Sequence, residues 1–272
     1  MEKTTAVAIT LVIYLLVLIG IGLWASFRNR NEEDFFLGGR ALGPIVAAIS
    51  YSSSASSAWT LLGVSGAAYV LGVSVVWIAS GSCLGMLVAW FWVGPRLRSH
   101  SREKNQLTVT DFLADDSTGR ARQAIVVAAS AIIIFSFTFY VAAQFQGAGN
   151  SFSSSFGLSM QSSIMLGALI ITLYTLLGGF WAVSVTDVVQ GGLMGLAAII
   201  LPLAALSAVG GWAGFTDALQ AVSSPAQLSW TAGNAGLLAL GLVAGGLGIS
   251  LGTFGQPHLL VRFMALRDDK AL

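Results

Sequence analysis

The sequence predicts an all-α, polytopic membrane protein, and three observations predict it. Hydrophobic residues make up 56% of the 272 residues and charged residues only 9%, whereas soluble domains average about 25% charged residues. The mean hydropathy is +0.81. Apolar stretches of roughly 20 residues, the length that crosses a bilayer as a helix, recur along the chain. We therefore expect a single transmembrane domain of helices in a lipid bilayer.

Seven apolar segments are long enough to span the membrane. They lie near 6–26, 45–65, 70–94, 123–146, 162–180, 188–209 and 234–254. The first segment is too long for a signal-peptide core, and no small-residue cleavage site follows it, so we expect it to be retained. Between the fifth and sixth segments the sequence predicts a tight bend near Asp187.

Basic residues fall almost entirely in three loops. Loops 27–44, 95–122 and 255–272 hold twelve of the thirteen Lys and Arg residues, and only Lys3 lies opposite. With seven alternating spans these loops share one side, which the positive-inside rule makes cytoplasmic. The sequence thus predicts a multi-pass protein of the cell membrane with an external N-terminus.

The second span differs from an ordinary membrane helix because its centre is rich in serine. Between Ile45 and Gly66 there is no charge, and the hydroxyl side chains are Ser50, Ser52, Ser53, Ser54, Ser56 and Ser57. Hydrocarbon offers no partners to hydroxyls or freed backbone groups. One interpretation is a helix that breaks in mid-membrane beside a cavity, as in secondary transporters. The other is close helix packing through small residues.

Several chemistries are disfavoured by what the spans contain. Cys83 is the one cysteine, and His100 and His258 fall in loops far apart in sequence, which gives no thiolate site and no metal pair. The spans offer neither paired carboxylates nor a Ser/His/Asp set, so an enzyme is not expected. No phosphate-cradling loop is evident, which argues against an ATP-driven pump, and no nucleic-acid partner is expected.

Five blocks of sequence resemble one transporter family. They are residues 36–44 (FLGGRALGP), 95–98 (PRLR) with 107–112 (LTVTDF), 174–183 (YTLLGGFWAV), 186–190 (TDVVQ) and 254–264 (FGQPHLLVRFM). The chain resembles the sodium/solute symporter family, most closely its sodium/proline branch. The resemblance implies a leucine-transporter-type inverted-repeat fold, with the first repeat and the start of the second present. We expect the chain to be the N-terminal part of a longer transporter; a half-transporter that assembles with a partner is the alternative.

The family resemblance implies secondary active transport. Inward sodium flux would drive uptake of a small solute, with sodium as the coupling ion and no other cofactor. Proline is the first candidate solute, and another small amino or carboxylic acid is the alternative. A membrane sensor in front of a signalling module is a second class of function, and the sequence downstream of Leu272 would discriminate the two.

The resemblance also assigns candidate sodium ligands. Backbone carbonyls of Ser53 and Ser56 match the family's broken helix, and the hydroxyl of Ser57 could face sodium or solute. Asp187 matches a position on the sodium exit path, although capping of a helix N-terminus explains it equally well. The sodium/proline branch carries an aspartate where this chain has Ala55, which should weaken the cation site or leave its role to the hydroxyls.

Candidate solute residues rest on the same comparison of motifs. They are Ser57, Trp59, Tyr140, Ile249, Thr253 and Pro257. Ile249 and Thr253 stand where the proline branch has aromatic side chains, a change that alters pocket volume and removes stacking. Packing alone would also explain Trp59. Arg40 resembles a gating residue of the family, with an ordinary loop charge as the alternative.

Overall fold

Helices form nearly all of the regular structure, which confirms the predicted all-α class. The structure, a computed structural model, describes residues 3–272, except for the side chains at positions 3, 4, 7, 8, 61 and 174. The helices are α1 (Lys3–Ser26), α2 (Glu32–Leu37), α3 (Pro44–Ala55), α4 (Val64–Leu71), α5 (Val76–Val88), α6 (Gly94–Glu103), α7 (Val109–Leu113), α8 (Gly119–Phe156), α9 (Met160–Ala208), α10 (Gly211–Val222), α11 (Gly236–Thr253) and α12 (Pro257–Met264). Trp59–Gly63 and Ala89–Val93 are π-helical turns, and Gly38–Arg40 and Gly72–Val75 are 3₁₀ turns.

Five helical stretches in the described part of the chain are long and apolar enough to cross a membrane. They are Ile9–Ser26, Val64–Glu103, Gly119–Phe156, Thr175–Ala208 and Gly236–Thr253. The shorter Met160–Leu173 is also apolar. Length and composition do not fix how many of these cross, so the seven-span topology stays a prediction.

The chain divides into two compact units, each built from separate stretches of sequence. The first comprises Met1–Ala58, Pro95–Val188 and Pro257–Leu272, and the second comprises Trp59–Gly94 and Val189–Gln256.

In the first unit, α12 packs against α2, α3 and α7 and carries much of the core. Its side chains Leu259, Phe263 and Met264 are fully buried. The Phe263 ring lies 5.3 Å from the ring of Tyr51 on α3. This packing holds Arg262 and His258 of α12 against the serine-rich end of α3.

The bend predicted near Asp187 is wrong in position, because the break in α9 lies at Gly179. Gly179 has φ 56° and ψ −149°, a conformation that is open almost only to glycine. A Cβ atom there would lie 2.7 Å from the Phe35 side chain and 2.9 Å from its carbonyl oxygen. Asp187 therefore lies inside a continuous helical stretch rather than at a bend.

The loops predicted from charge contain helices. Residues 27–44 include α2, residues 95–122 include most of α6 and all of α7, and residues 255–272 include α12. His258, which the sequence places in a loop, thus lies in the first turn of α12. Basic residues mark these segments as membrane-flanking, but they do not report whether a short helix forms there.

In the second unit, α5 and α11 pack through glycines. A Cβ atom on Gly81 would lie 2.2 Å from the carbonyl oxygen of Gly246, and one on Gly85 would lie 2.8 Å from the carbonyl oxygen of Ser250. The absence of side chains at these positions lets the two backbones approach closely. The indole of Trp77 also donates to the carbonyl of Trp230 at 2.8 Å.

Candidate functional site

Helix α3 stops within its serine-rich segment, so the predicted interruption is present. The helix ends at Ala55, and Ser56 is extended, with φ −78° and ψ 137°. The Ser56 N–H donates to the carbonyls of Ser52 and Ser53, both at 3.1 Å. A carbonyl oxygen has two lone pairs, so the Ser53 oxygen keeps the capacity to bind a cation as well.

Asp187 of α9 is held by three serines of α3. Its carboxylate oxygen Oδ2 accepts hydrogen bonds from Ser50 Oγ at 2.6 Å and from Ser54 Oγ at 3.0 Å. Its backbone carbonyl accepts a hydrogen bond from Ser53 Oγ at 2.9 Å. Ser50 is fully buried and Asp187 is 8% exposed. The side chain therefore joins two helices, which excludes the capping interpretation of Asp187.

Arg262 of α12 supplies the positive charge for this carboxylate. Its Nη2 lies 3.2 Å from Asp187 Oδ2, although the two residues are 75 positions apart in sequence. The same guanidinium donates from Nε to Ser50 Oγ at 3.3 Å and from Nη2 to Ser54 Oγ at 2.6 Å. Each serine thus accepts from Arg262 and donates to Asp187. Phe180 covers the guanidinium, with the ring centroid 5.4 Å away.

His258 closes the other side of this network. Its Nε2 lies 3.2 Å from the carbonyl oxygen of Ser54, and because a carbonyl only accepts, Nε2 carries the proton. The imidazole packs on the rings of Phe137 and Tyr140, at centroid distances of 5.2 and 5.7 Å. Burial and the positive charge of Arg262 lower the pKa of His258 to about 4. The ring is therefore neutral at physiological pH.

Helix α8 approaches the chain just past the break in α3. The Ala58 N–H donates to Gln144 Oε1 at 2.8 Å, and the side chains of Tyr140 and Ser57 share a hydrogen bond. A Cβ atom on Gly147 would lie 2.6 Å from the Cβ of Ala58. The structure therefore brings Ser57 and Tyr140 together, two residues that the sequence names as solute ligands.

Pro257 begins α12 and borders a separate cavity in the first unit. The cavity has a volume of about 410 Å³ and is lined mainly by apolar side chains, among them Phe36, Ile134 and Phe137. His258 also lines it. A proline in the first helical turn loses no helical hydrogen bond, so its position is explained by the helix start alone.

Arg40 lies in another cluster of the first unit. Its Nε is 2.6 Å from Glu33 Oε1, and its Nη2 donates to the carbonyls of Gln106 at 2.9 Å and Ser101 at 3.4 Å. The residue is 8% exposed and has a positive φ of 50°. Arg40 is therefore a fixed, buried charge rather than a freely solvated loop residue.

The remaining candidate solute residues belong to the second unit. Trp59 begins the π-helical turn and is more than half exposed. On α11, the Thr253 hydroxyl donates to the carbonyl of Ile249 at 3.2 Å, and Thr253 is buried whereas Ile249 is exposed. The Thr253 hydroxyl therefore makes its hydrogen bond within α11.

Sequence reasoning does not single out four residues that complete the network. Ser50 and Ser54 belong to the serine-rich segment but carry no assigned role, and Arg262 and His258 count only as loop residues. The pattern HLLVRFM, which follows Pro257, offers a signal. A proline that starts a helix and is followed by apolar residues predicts a short amphipathic helix, on which a lone arginine faces either water or a buried acid.

The family assignment follows from comparison with known proteins. A profile described as the "Sodium:solute symporter family" matches residues 35–272. The chain belongs to this family. It is a multi-pass membrane protein.

Two relatives carry names that refer to proline. The "Sodium/proline symporter" of Escherichia coli (strain K12) is 38% identical over 268 residues, which cover 97% of this chain and 52% of that protein. The "Osmoregulated proline transporter OpuE" of Bacillus subtilis (strain 168) is 35% identical, over 98% of this chain and 53% of its own length. The chain thus spans about half the length of the relatives it matches.

A solved structure shows the same fold. It is the substrate-bound, outward-open state of a Na⁺-coupled sialic acid symporter, with a TM-score of 0.74 at 22% sequence identity. The match covers 95% of this chain and 53% of that one. The predicted leucine-transporter-type fold is therefore confirmed for the part present here.

Proposed function

We propose that the protein carrying this chain is a symporter that couples inward sodium flux to uptake of a small solute, with proline as the first candidate. The observation that carries the proposal is the break in α3 at Ser56 beside Asp187, whose carboxylate accepts hydrogen bonds from Ser50 and Ser54 of α3. Relatives named for sodium and proline support it. Another small amino or carboxylic acid is the alternative solute, because Ile249 and Thr253 replace aromatic side chains of the proline branch.

Sodium binding is proposed for the oxygens near the break. Hard cations prefer several oxygen ligands, and Ser53, Ser56, Ser57 and Asp187 offer carbonyl, hydroxyl and carboxylate oxygens. Asp187 is proposed to serve the path along which sodium leaves. Its contact with Ser53 supports this role, since the Ser53 hydroxyl donates to the backbone carbonyl of Asp187 and so holds the residue that offers a carbonyl ligand beside the residue that carries the exit carboxylate.

Arg262 is proposed to compete with sodium for Asp187. The guanidinium contacts the same carboxylate oxygen and the same two hydroxyls that a cation on this path would use. Two cations on one carboxylate repel each other, so arriving sodium would weaken the Arg262 contact. In this proposal the Arg262 guanidinium pairs with the Asp187 carboxylate again after each sodium ion has left.

Solute contacts are proposed for Ser57, Tyr140 and Pro257 in the first unit and for Trp59, Ile249 and Thr253 in the second. The hydrogen bond between Ser57 and Tyr140 supports the first group, because it presents two hydroxyls beside a broken helix. Each of these two groups consists of residues from a single unit.

A gating role is proposed for Arg40. The arginine-rich segments 27–44, 95–122 and 255–272 are proposed to be cytoplasmic, with the N-terminus external. Support for the gate comes from the burial of Arg40 and its hydrogen bonds to the carbonyls of Ser101 and Gln106. Support for the orientation comes from the distribution of Lys and Arg along the chain.

Uptake into proteoliposomes tests the function. Radiolabelled proline is supplied outside vesicles that contain the protein carrying this chain, with an inward sodium gradient or a matched potassium gradient. We expect uptake to exceed the potassium control, and unlabelled proline to compete better than other small amino or carboxylic acids. Uptake that is equal in both gradients would reject sodium coupling, and better competition by another solute would reject proline.

A further inference from the structure

A polar cavity in the first unit is surrounded by an excess of positive charge. It has a volume of about 450 Å³ and is lined by Arg40, Arg102 and Arg267, with Glu33 and Asn105 beside them. Ligand pockets in proteins have volumes of about 300–1,000 Å³. Three guanidinium groups and the Glu33 carboxylate line the cavity, and Asp268, outside the lining, pairs with Arg267 at 3.0 Å. The arginines still outnumber these carboxylates by one, so the cavity favours an anion.

Arg40 is held rigidly in the wall of this cavity and retains a free donor. Its Nε pairs with Glu33, and its Nη2 donates to the carbonyls of Ser101 and Gln106. Its Nη1 is buried and has no hydrogen-bond partner among the residues that the structure describes. A buried donor left unpaired is unfavourable, so this guanidinium has one hydrogen bond fewer than its surroundings could give it.

The other two arginines are positioned by backbone contacts from distant segments. Arg102 Nη2 donates to the carbonyls of Arg40 at 3.3 Å and Leu266 at 3.0 Å. The Arg267 N–H donates to the carbonyl of Leu42 at 2.9 Å, which fixes the start of its side chain. Residues 40, 102 and 267 thus meet although they are far apart in sequence.

We propose that this cavity binds a phosphate group. Guanidinium groups bind phosphate oxygens through paired N–H donors, and the three arginines that line the cavity match its several oxygens. The headgroup of an anionic phospholipid and a soluble phosphate share this chemistry. The site is separate from the Asp187–Arg262 network. It shares Arg40 with the proposed gate, but binding of phosphate to the purified chain is measured without any transport of sodium or solute.

Calorimetric titration of the purified chain in detergent tests the proposal. The probes are short-chain phosphatidylglycerol, the matching phosphatidylcholine, and inorganic phosphate, each at the same ionic strength in chloride. We expect phosphatidylglycerol or inorganic phosphate to bind and phosphatidylcholine not to bind. Preference for phosphatidylglycerol identifies a lipid headgroup as the source, and equal or better binding of inorganic phosphate identifies a soluble phosphate.

Variants connect this binding to the cavity. Arg102→Gln with Arg267→Gln should raise the dissociation constant about tenfold or more, whereas Arg120→Gln, an exposed arginine elsewhere, should leave it unchanged. Glu33→Gln keeps an acceptor for Arg40 but removes the repelling charge, so it should tighten binding several-fold. The proposal is overturned if neither phosphate probe binds, if the double variant and Arg120→Gln weaken binding equally, or if Glu33→Gln weakens it.

Discussion

Arg262 Nη2 lies 3.2 Å from Asp187 Oδ2, and both residues are nearly buried. Two serines of α3 contact both side chains at once, so the pair and the end of the broken helix form one hydrogen-bonded unit. A single charge pair therefore links α3, α9 and α12 in this region.

Arg262→Gln should lower the free energy of unfolding by about 3–5 kcal/mol, because it leaves a buried carboxylate without its cation. The double variant with Asp187→Asn should recover much of that loss. Chemical denaturation in detergent measures both. Arg122→Gln, which removes an exposed partner of Asp111, should change stability by at most about 1 kcal/mol. Equal effects of Arg262→Gln and Arg122→Gln would contradict a buried pair.

Ser50→Ala should destabilise the protein by about 1–3 kcal/mol, since Asp187 and Arg262 each lose a buried hydrogen-bond partner. Ser52→Ala is the matched control, because Ser52 is exposed on the same helix and the change should cost no more than about 0.5 kcal/mol. Thermal unfolding of the two variants side by side makes the comparison. A Ser50→Ala variant as stable as Ser52→Ala would argue against the network.

Acid should destabilise the protein through His258. Burial and Arg262 lower its pKa in the folded protein to about 4 from an ordinary value of 6.5. The unfolded chain thus binds a proton near pH 6.5 and the folded protein only near pH 4. His258 therefore contributes roughly 3 kcal/mol to the free energy of unfolding above pH 6.5. This stabilisation is lost as the pH falls from 6.5 to about 4.

Unfolding curves of the wild type and His258→Gln between pH 7 and 4 isolate this effect. Glutamine can still donate to the Ser54 carbonyl but does not titrate, so its stability should fall less steeply with acid. His100→Gln, on α6, serves as a control for histidine substitution in general. Parallel pH profiles for the wild type and His258→Gln would disprove the assignment.

Gly179→Ala should destabilise the protein by more than about 1–3 kcal/mol, because alanine is strained at φ 56° and its Cβ would collide with Phe35. Gly192→Ala on the same helix is the control, since nothing lies within 4 Å of its would-be Cβ and alanine favours a helix. Thermal unfolding of the two variants measures the difference. Equal stability of the two would show that the break at Gly179 is not required.

Ala55→Asp should raise the apparent sodium affinity, because it restores a carboxylate at the end of the broken helix. Stabilisation by bound sodium grows with concentration relative to the dissociation constant, so melting temperature in NaCl against choline chloride measures it. Ala55→Asn controls for size without charge. An unchanged sodium dependence would remove the argument that Ala55 weakens the cation site.

The sequence predicts the interruption in α3 because its cause is local. A serine run inside an apolar segment is visible without any tertiary contact, and the structure ends the helix at Ala55. Asp187 is recognisable for a similar reason, as an acid without a basic neighbour in an apolar region. Both predictions rest on the cost of polar groups in hydrocarbon.

The partner of Asp187 is not predictable in the same way. Arg262 is 75 residues away, and only the packing of α12 on α3 brings the two side chains together. Counting charges for topology treats every arginine alike and so classes Arg262 with exposed loop residues. The break in α9 has a local signal, because a pair of glycines such as Gly178-Gly179 favours a turn. A bend predicted at Asp187 from its charge misses this stronger signal.

The sequence separation of Asp187 and Arg262 also has a consequence for biosynthesis. The ribosome makes the acid 75 residues before the arginine, so the nascent α9 enters the translocon without its counter-charge, where an unpaired aspartate costs about 2.5–3.5 kcal/mol at the centre of a helix. Ser50 and Ser54 are already made by then. Their hydroxyls can donate hydrogen bonds to the carboxylate until α12 is made.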